Sequence, residues 1–377
     1  MKSILIATGI YPPELGGSGE YAKKLARIWS LEKKYKISVL TFADNSDSSL
    51  EEGFEVFRIS RKSKFRHLNY LFACLRLGKR CDAILVLDNF SAAFPSALAN
   101  LFLKKKMVLR NGGDFLWEKA VESGAYFGTF RKYYESKLSF KEKLIKFLIN
   151  FSMLRANKIV FSGDFQRQVF LKNYSIKENN TLIIENPYET KKDLSSIKNH
   201  VSREKIIIYA GRIMRLKNLD LLIDVFLKFK KNHNEFKLKI LGDGPYKGSI
   251  DSRVKSLGGE SVGIIMGPAM LRADFLNELK KSYLYILPSL SDMTPNSVLD
   301  SFALGTPFVS TRETGFQYFL EGKAKTFDPL NPQELLNIFE YLAVENNYQA
   351  YQKALEGIKY QVSWNDYSEN ILKLFNL

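Results

Sequence analysis

Two aspartates with seven residues between them, Asp292 and Asp300, lie near the start of a predicted helix. The apolar run Tyr283–Leu287 predicts a buried strand, and Thr294 and Pro295 mark the point where the helix begins. Thr can cap a helix, and Pro at its first position has no N–H to leave unsatisfied. Because ligands of α/β sheets bind beyond the carboxyl ends of strands, both carboxylates are candidate hydrogen-bond acceptors for a ligand. A loop residue followed by a solvated helix residue is the alternative interpretation.

Two cations, Arg212 and Lys217, follow another predicted strand, Ile206–Ala210, and its terminal Gly211. An arginine can fork onto two phosphate oxygens, while a lysine supplies a compact positive charge. Side chains of these two types can neutralise a phosphate or diphosphate. Structural salt bridges are the alternative for the same two residues.

These stretches resemble the donor-binding domain of GT-B glycosyltransferases, in particular the large retaining family called family 4. That family has two acidic residues separated by seven positions, then a small-residue helix and Gly-Thr-Pro, as in Gly305–Pro307 here. The chain departs from the family in having aspartate at both acidic positions instead of glutamate. The segment from Gly211 to Lys217 and the turn that begins at Gly242 also match the family pattern. The resemblance covers nearly the whole chain and is most specific in residues 206–310.

The resemblance implies an α/β protein of the GT-B fold, in which two Rossmann-like, doubly wound domains face each other across a cleft. We expect an N-terminal acceptor-binding domain over residues 1–190 and a C-terminal donor-binding domain over residues 204–355. A final helical segment, residues 356–377, is expected to cross back to the first domain. The polar stretch Lys191–Arg203 is the predicted linker.

The resemblance also implies roles in the retaining transfer of a sugar from a nucleoside diphosphate sugar. Arg212 and Lys217 would stabilise the leaving diphosphate, Asp300 would accept the ribose hydroxyls, and Asp292 would hold the sugar. We see no Asp-x-Asp metal motif and predict neither a cofactor nor an obligatory divalent ion besides the donor substrate. The remaining predicted donor-binding residues of this domain are Gly242, Pro295, Asn296 and Ser297.

Glycines also follow the first predicted strand, where Gly16, Gly17 and Gly19 lead into a helix predicted over Glu20–Leu31. Glycines at such a turn let backbone N–H groups approach an anion, and the resemblance implies that this loop lies near the donor diphosphate. The minimal pattern Gly17-x-Gly19-x-x-Ala22 also fits a dinucleotide-binding turn, so an NAD-dependent oxidoreductase is an alternative function. Six or more residues separate strand and glycines, however, whereas a dinucleotide turn is tight. An ordinary flexible turn is the third interpretation.

Asp114 follows the predicted strand Met107–Arg110 in a Gly-Gly-Asp sequence. In the family, such a residue lines the cleft close to the transferred sugar, which makes Asp114 a candidate catalytic residue and Asp88 a weaker one. The alternatives are an aspartate in a glycine-rich turn and an aspartate that caps a helix.

Positive charge is concentrated in the first half of the chain. Residues 1–200 hold 34 Lys and Arg against 20 Asp and Glu, a balance of +14, whereas the remainder holds 22 against 20, a balance of +2. An anionic membrane surface and a nucleic acid are the two partners that charge alone suggests. The segment from 138 to 154 alternates lysines with apolar residues, as in an amphipathic helix on anionic lipid or a core helix with a basic face.

A length of 377 residues predicts two domains, and no apolar run is long enough to span a membrane. Met1–Ile10 is expected to be a first strand rather than a signal peptide. Two cysteines form no disulfide framework, so we expect a reducing cytosol. The three histidines lack metal-ligand spacing, which agrees with the prediction of no metal site.

Taken together, these observations predict a cytoplasmic glycosyltransferase whose acceptor is a saccharide or lipid-linked saccharide, acting in surface polysaccharide biosynthesis. The basic first domain raises the hypothesis of peripheral attachment to the cytoplasmic face of a membrane. A nucleic-acid-binding protein is the non-enzymatic alternative, although neither it nor the oxidoreductase accounts for residues 206–310. The sequence alone therefore favours the transferase.

Overall fold

The computed structural model describes residues 1–376 except 15, 188–202, 294, 317–319, 321, 359 and 361. Thr294 and nearly all of the predicted linker 191–203 therefore lie outside the described residues.

The chain divides into two compact units. The first comprises Met1–Glu118, Ser136–Glu185 and Trp364–Leu377, and the second comprises Lys119–Glu135 and Asn186–Ser363. Residues 119–135 thus belong to the second unit, although the sequence analysis assigned them to the first domain. The boundary falls inside the helix Phe115–Glu122.

Among the described residues, eight strands form the sheet of the first unit. They are β1 (Lys2–Ala7), β2 (Tyr35–Ala43), β3 (Asp47–Glu51), β4 (Phe54–Ser60), β5 (Ala83–Val86), β6 (Lys106–Asn111), β7 (Lys158–Phe161) and β8 (Thr181–Ile183). Their order is β3-β4-β2-β1-β5-β6-β7-β8, and each pair is parallel except the antiparallel β3-β4 pair.

Helices connect these strands. They are α1 (Gly17–Leu31), α2 (Arg66–Gly78), α3 (Ala93–Leu103), α4 (Phe115–Glu122), α5 (Phe130–Tyr133, in the second unit), α6 (Phe140–Arg155) and α7 (Asp164–Asn173). Helix α6 begins with a capping box, in which the side chains of Ser139 and Glu142 each bind the other's backbone N–H. Strand order reverses between β1 and β5, so this unit has a topological switch point at their carboxyl ends.

The second unit alternates strand and helix in the same way. Its strands are β9 (Glu204–Ala210), β10 (Lys237–Leu241), β11 (Ile264–Gly267), β12 (Ser282–Leu287), β13 (Phe308–Thr311) and β14 (Thr326–Phe327). Its helices are α8 (Leu219–Lys230), α9 (Lys247–Ser256), α10 (Arg272–Lys281), α11 (Asn296–Ala303), α12 (Pro332–Ala343) and α13 (Glu345–Glu356), while α14 (Trp364–Lys373) returns to the first unit.

The second sheet is parallel throughout, with the order β11-β10-β9-β12-β13-β14. This is the strand order of a dinucleotide-type Rossmann domain, and its switch point lies between β9 and β12. Every residue of β12 is buried, because helices cover both faces of a parallel sheet. The fold thus brings together the loops that follow β9 and β12, where Lys217 and Asp292 occur.

Candidate functional site

An ion pair joins Lys217 and Asp292 at the switch point of the second sheet. Lys217 Nζ lies 2.5 Å from Asp292 Oδ2, and the two side chains are only 19% and 13% exposed. Both residues were predicted as site residues from the sequence, and the structure brings them into direct contact. An ammonium and a carboxylate therefore meet beyond the carboxyl ends of β9 and β12, where Rossmann domains bind ligands.

A short turn positions Lys217. Residues Arg215–Lys217 form a single 3-10 turn, and Asn218 then adopts a left-handed conformation with φ of 54° before α8 begins. Asparagine tolerates this conformation better than most residues. Its side-chain Nδ2 donates to the carbonyl oxygen of Pro329 at 2.8 Å, and the side chain is buried. The direction in which the chain leaves Lys217 is therefore fixed by a buried hydrogen bond.

Asp292 is held by its backbone. Its N–H donates to the carbonyl oxygen of Glu313 at 2.9 Å, its own carbonyl oxygen accepts the N–H of Gly315 at 3.1 Å, and it forms a parallel bridge with Thr314. A Cβ on Gly315 would lie 2.0 Å from the carbonyl oxygen of Met293, so only glycine fits there. Two loops thus pair as a short ladder that fixes the Asp292 carboxylate.

Asp300 lies in α11 and is bound by an arginine that the sequence analysis did not single out. Arg272 Nη2 donates to Asp300 Oδ1 at 2.7 Å and Arg272 Nη1 donates to Oδ2 at 3.2 Å. The Asp300 side chain is 10% exposed, whereas that of Arg272 is 50% exposed. The predicted ribose acceptor is therefore already paired with a cation. In the sequence, the only signal for this partner was a positively charged residue at the start of the helix that precedes β12.

The start of α11 carries three predicted donor-binding residues. The helix begins at Asn296, so Pro295 precedes it as the N-terminal flanking residue instead of occupying its first position. Pro295 is buried, Asn296 is exposed and Ser297 is partly buried. Tyr285 donates its hydroxyl hydrogen to Ser297 Oγ at 2.5 Å, and burial raises the pKa of Tyr285. The exposed end of this helix offers backbone N–H groups to an anion.

Gly242 and Arg212 have different roles in the neighbouring loops. A Cβ on Gly242 would lie 1.9 Å from the carbonyl oxygen of Gly211, so glycine is required for the ends of β9 and β10 to approach each other. The Arg212 side chain is exposed and forms no ion pair with any other residue that the structure describes. Its charge is therefore available to a ligand, while Gly242 shapes the loop.

The glycines of the first unit lie at the beginning of α1. The helix starts at Gly17, three residues earlier than predicted, and a Cβ on Gly19 would lie 3.0 Å from the Cα of Tyr11. Gly17 faces open space, since a Cβ there would have no neighbour within 4 Å. Strand β1 ends at Ala7, so the connection to Gly17 is long, unlike the tight turn of a dinucleotide site.

Asp114 is a buried residue at the start of α4. Its Oδ1 accepts the N–H of Trp117 at 2.7 Å, and its own N–H donates to Glu118 Oε1 at 3.2 Å. This is the helix-capping arrangement that the sequence analysis gave as an alternative. Asp88 likewise accepts backbone N–H groups at the start of α3, from Phe90 and its neighbours. A catalytic role for Asp114 stays a prediction.

Within the part of the chain that the structure describes, no group of three or more His, Cys, Asp or Glu side chains could hold a metal ion. Among the same residues, no helix has both the length and the apolar composition needed to cross a bilayer.

A family model supports the interpretation of the second unit. Residues 190–354 match the family described as "Glycosyl transferases group 1", which is less than half of the 377 residues. An uncharacterized glycosyltransferase of Methanocaldococcus jannaschii is 22% identical over 303 residues, which cover 75% of this chain and 71% of that relative.

Solved structures resemble the whole chain. HepE of Anabaena, in complex with UDP and glucose, has a TM-score of 0.72 with 13% identity and covers 100% of both chains. The lipopolysaccharide outer core galactosyltransferase WaaB has a TM-score of 0.67 with 13% identity, covering 100% of this chain and 99% of WaaB. The chain has the GT-B fold with two Rossmann-like domains, and the family model and relatives identify it as a glycosyltransferase.

Proposed function

We propose that this glycosyltransferase takes a sugar from a nucleoside diphosphate sugar bound at the carboxyl edge of the second sheet and transfers it with retention. The observation that carries the proposal is the Lys217–Asp292 pair at the switch point, with the exposed Arg212 in the same loop after β9 as Lys217. HepE, which shares the fold, was solved with UDP and glucose, and this supports a nucleotide-sugar donor.

The proposed mechanism follows from charge. As the bond between the sugar and the diphosphate breaks, the sugar becomes cationic and the leaving group gains negative charge. Lys217 and Arg212 stabilise that leaving group, together with the backbone N–H groups at the start of α11. Asp292 accepts a hydroxyl hydrogen of the sugar, and Asp300, oriented by Arg272, accepts those of the ribose. In the route that we propose for retention, the acceptor hydroxyl attacks the face from which the diphosphate departs, and the departing phosphate takes the acceptor's proton.

We further propose that the acceptor is a lipid-linked saccharide and that the first unit binds an anionic bilayer surface. Helix α6 exposes apolar residues at one-face spacing, and it packs beside α3, where the rings of Phe94 and Phe151 are 6.2 Å apart. The exposed apolar residues of these two helices, which we call the apolar face, are Leu101, Phe102, Phe140, Leu144, Phe147 and Leu154.

Charge around the apolar face favours lipid over a protein partner. Lys137, Lys141 and Lys143 are exposed beside it, and the first 200 residues carry a balance of +14. Apolar side chains that enter the headgroup region, with lysines at the surface of anionic lipid, give additive binding energy. A lipid-linked acceptor would reach the enzyme at such a surface, as in the synthesis of a surface polysaccharide.

Thermal stabilisation by nucleotides tests the proposed donor site. The panel is UDP, GDP, ADP, CMP and NAD, each with wild type, Lys217→Ala and Asp300→Ala. The control is Lys237→Ala, because Lys237 is an exposed lysine at the opposite, amino end of β10. At 100 times its Kd a ligand stabilises the folded protein by about 2.7 kcal/mol.

We expect a shift with one nucleoside diphosphate that is reduced in Lys217→Ala and Asp300→Ala and kept in Lys237→Ala. That result would also identify the base of the donor. A shift with NAD that survives all three substitutions would contradict the proposal and return the site to the glycines of α1.

A further inference from the structure

The segment Lys119–Glu135, which we call the brace, contacts three loops around the Lys217–Asp292 pair. It lies between β6 and β7 of the first unit in sequence, but it packs as part of the second unit. Two groups of its residues bind the loops that carry the ion pair, one in α4 and one in α5. Each group binds a loop that carries one partner of the ion pair.

The α4 group is the carboxylate of Glu122. Its Oε1 accepts the N–H of Leu216 at 2.9 Å, and its Oε2 accepts the N–H of Arg215 at 3.2 Å. These are the first two residues of the turn that ends at Lys217. Hydrogen bonds to an ionised acceptor are stronger than those between neutral groups. Glu122 therefore fixes the backbone that carries the lysine.

The α5 group binds the loop that carries Asp292. The N–H of Phe130 donates to Ser291 Oγ at 2.9 Å, and both residues are fully buried. Arg131 forms an ion pair with Glu313 at 3.3 Å, and the carbonyl oxygen of Glu313 accepts the N–H of Asp292. Ser291, which precedes Asp292, and Glu313, which accepts the N–H of Asp292, are thus both bound by residues of α5.

The two loops also bind each other. The N–H of Leu290 donates to the carbonyl oxygen of Leu216 at 2.9 Å. Glu122, Leu216 and Leu290 therefore form a continuous series of hydrogen bonds that ends two residues before Asp292. These bonds hold the backbones of the two loops together next to Lys217 and Asp292, whose side chains meet at 2.5 Å.

We propose that Glu122 is a positioning residue for the donor site: by binding the turn Arg215–Lys217, it places the Lys217 ammonium where the diphosphate of the donor binds. The inference rests on the proposed function. The inference predicts that Glu122 makes no contact with the nucleotide and influences nucleotide affinity only through Lys217.

A double-mutant cycle tests this inference. The Kd for UDP, GDP and ADP is measured by calorimetry for wild type, Glu122→Ala, Lys217→Ala and the double variant, each with its Tm. Glu122→Gln is included because it keeps the Oε1 acceptor for Leu216 and so remains informative if Glu122→Ala folds poorly. Glu260→Gln, a change at an exposed glutamate before β11, is the control.

We expect Glu122→Ala to weaken the binding of the preferred nucleoside diphosphate roughly tenfold, with a smaller loss in Glu122→Gln and none in the control. In the Lys217→Ala background the additional loss from Glu122→Ala should disappear, while its effect on Tm persists. A merely structural role for Glu122 would change Tm but would not give this non-additivity in affinity.

Two outcomes would overturn the inference, and they are distinguishable. If wild type binds a nucleoside diphosphate but the Glu122 and Lys217 losses add, Glu122 does not act through Lys217 and the proposed function stands. If wild type binds none of the three, the proposed function fails and the role of Glu122 fails with it.

Discussion

Arg272 binds Asp300 through both terminal nitrogens, at 2.7 and 3.2 Å, so the carboxylate of α11 is oriented by the first residue of α10. The two residues have opposite exposure: Asp300 is almost buried, while half of the Arg272 side chain faces solvent. A fork of this kind fixes the plane of the carboxylate as well as its charge. The Asp300 oxygens are therefore presented in one orientation before any ligand binds.

Removing this arginine should destabilise the second unit. We expect Arg272→Ala to lower the free energy of unfolding by roughly 1–2 kcal/mol, because a nearly buried carboxylate loses its partner while the exposed arginine limits the loss. Urea denaturation measures the change. Arg272→Lys keeps the charge without the fork and should recover only part of it. If Arg272→Ala lowers the free energy of unfolding by the same amount in an Asp300→Ala background, the loss of the Arg272–Asp300 pair is not the cause of the destabilisation.

Changing Asp292 should separate nucleotide binding from sugar transfer. In Asp292→Asn the Lys217 ammonium loses the carboxylate at 2.5 Å and keeps its full charge for a diphosphate. We therefore expect a nucleoside diphosphate without sugar to bind more tightly, while transfer or hydrolysis of the nucleotide sugar slows. Calorimetry and a donor-hydrolysis assay give the two values. Weaker nucleotide binding in this variant would mean that Asp292 itself contacts the nucleotide.

Replacing residues of the apolar face should weaken membrane binding. Phe147 is 65% exposed in the centre of α6, and a buried phenylalanine contributes roughly 1.5–3 kcal/mol, so Phe147→Glu should lower vesicle binding at least tenfold. Co-sedimentation with phosphatidylglycerol-containing vesicles measures this. Phe127→Glu, at an equally exposed phenylalanine of the brace, is the control and should have little effect. Equal losses in both variants would argue against a specific face.

The partly buried Glu313 should make stability depend on pH. Burial raises the pKa of Glu313, against the opposing effect of Arg131. Because the pKa of Glu313 is raised in the folded state, the folded state favours the protonated carboxyl. The contribution of Glu313 to stability is therefore greatest at low pH and is lost as pH rises through the folded pKa. Glu313→Gln should therefore gain Tm relative to wild type on going from pH 5 to pH 8. Glu356→Gln, at an exposed glutamate, should show no such trend.

The sequence was informative where local patterns decide structure. Apolar runs predicted the parallel strands β9 and β12 with shifts of a residue or two, because buried parallel strands are nearly continuous apolar runs. The loop after β12 was predicted as a binding loop, and it contains the carboxylate that meets Lys217.

Other features depend on contacts between distant residues, which no local pattern encodes. Phe130 and Ser291 are separated by 161 positions, so nothing near either residue indicates their hydrogen bond. No apolar run marks strand β3, whose residues are mostly polar, because an edge strand that pairs on one side with β4 can be polar. Helix α1 includes glycines that propensity disfavours, and a side chain at Gly19 would be in tight contact with the backbone of Tyr11.

The return of α14 to the first unit has a consequence for synthesis on the ribosome. The ring of Tyr21 packs against those of Trp364 and Tyr367 at centroid distances of 5.0 and 5.6 Å, and the guanidinium of the buried Arg110 lies 4.0 Å from the centre of the Tyr21 ring. The β1–α1 region emerges early in translation, yet its aromatic partners follow only after the entire second unit has been made. Until then, Tyr21 and Arg110 of the nascent first unit lack the aromatic residues of α14 as partners. A chaperone that binds this patch would therefore act on a half-translated chain.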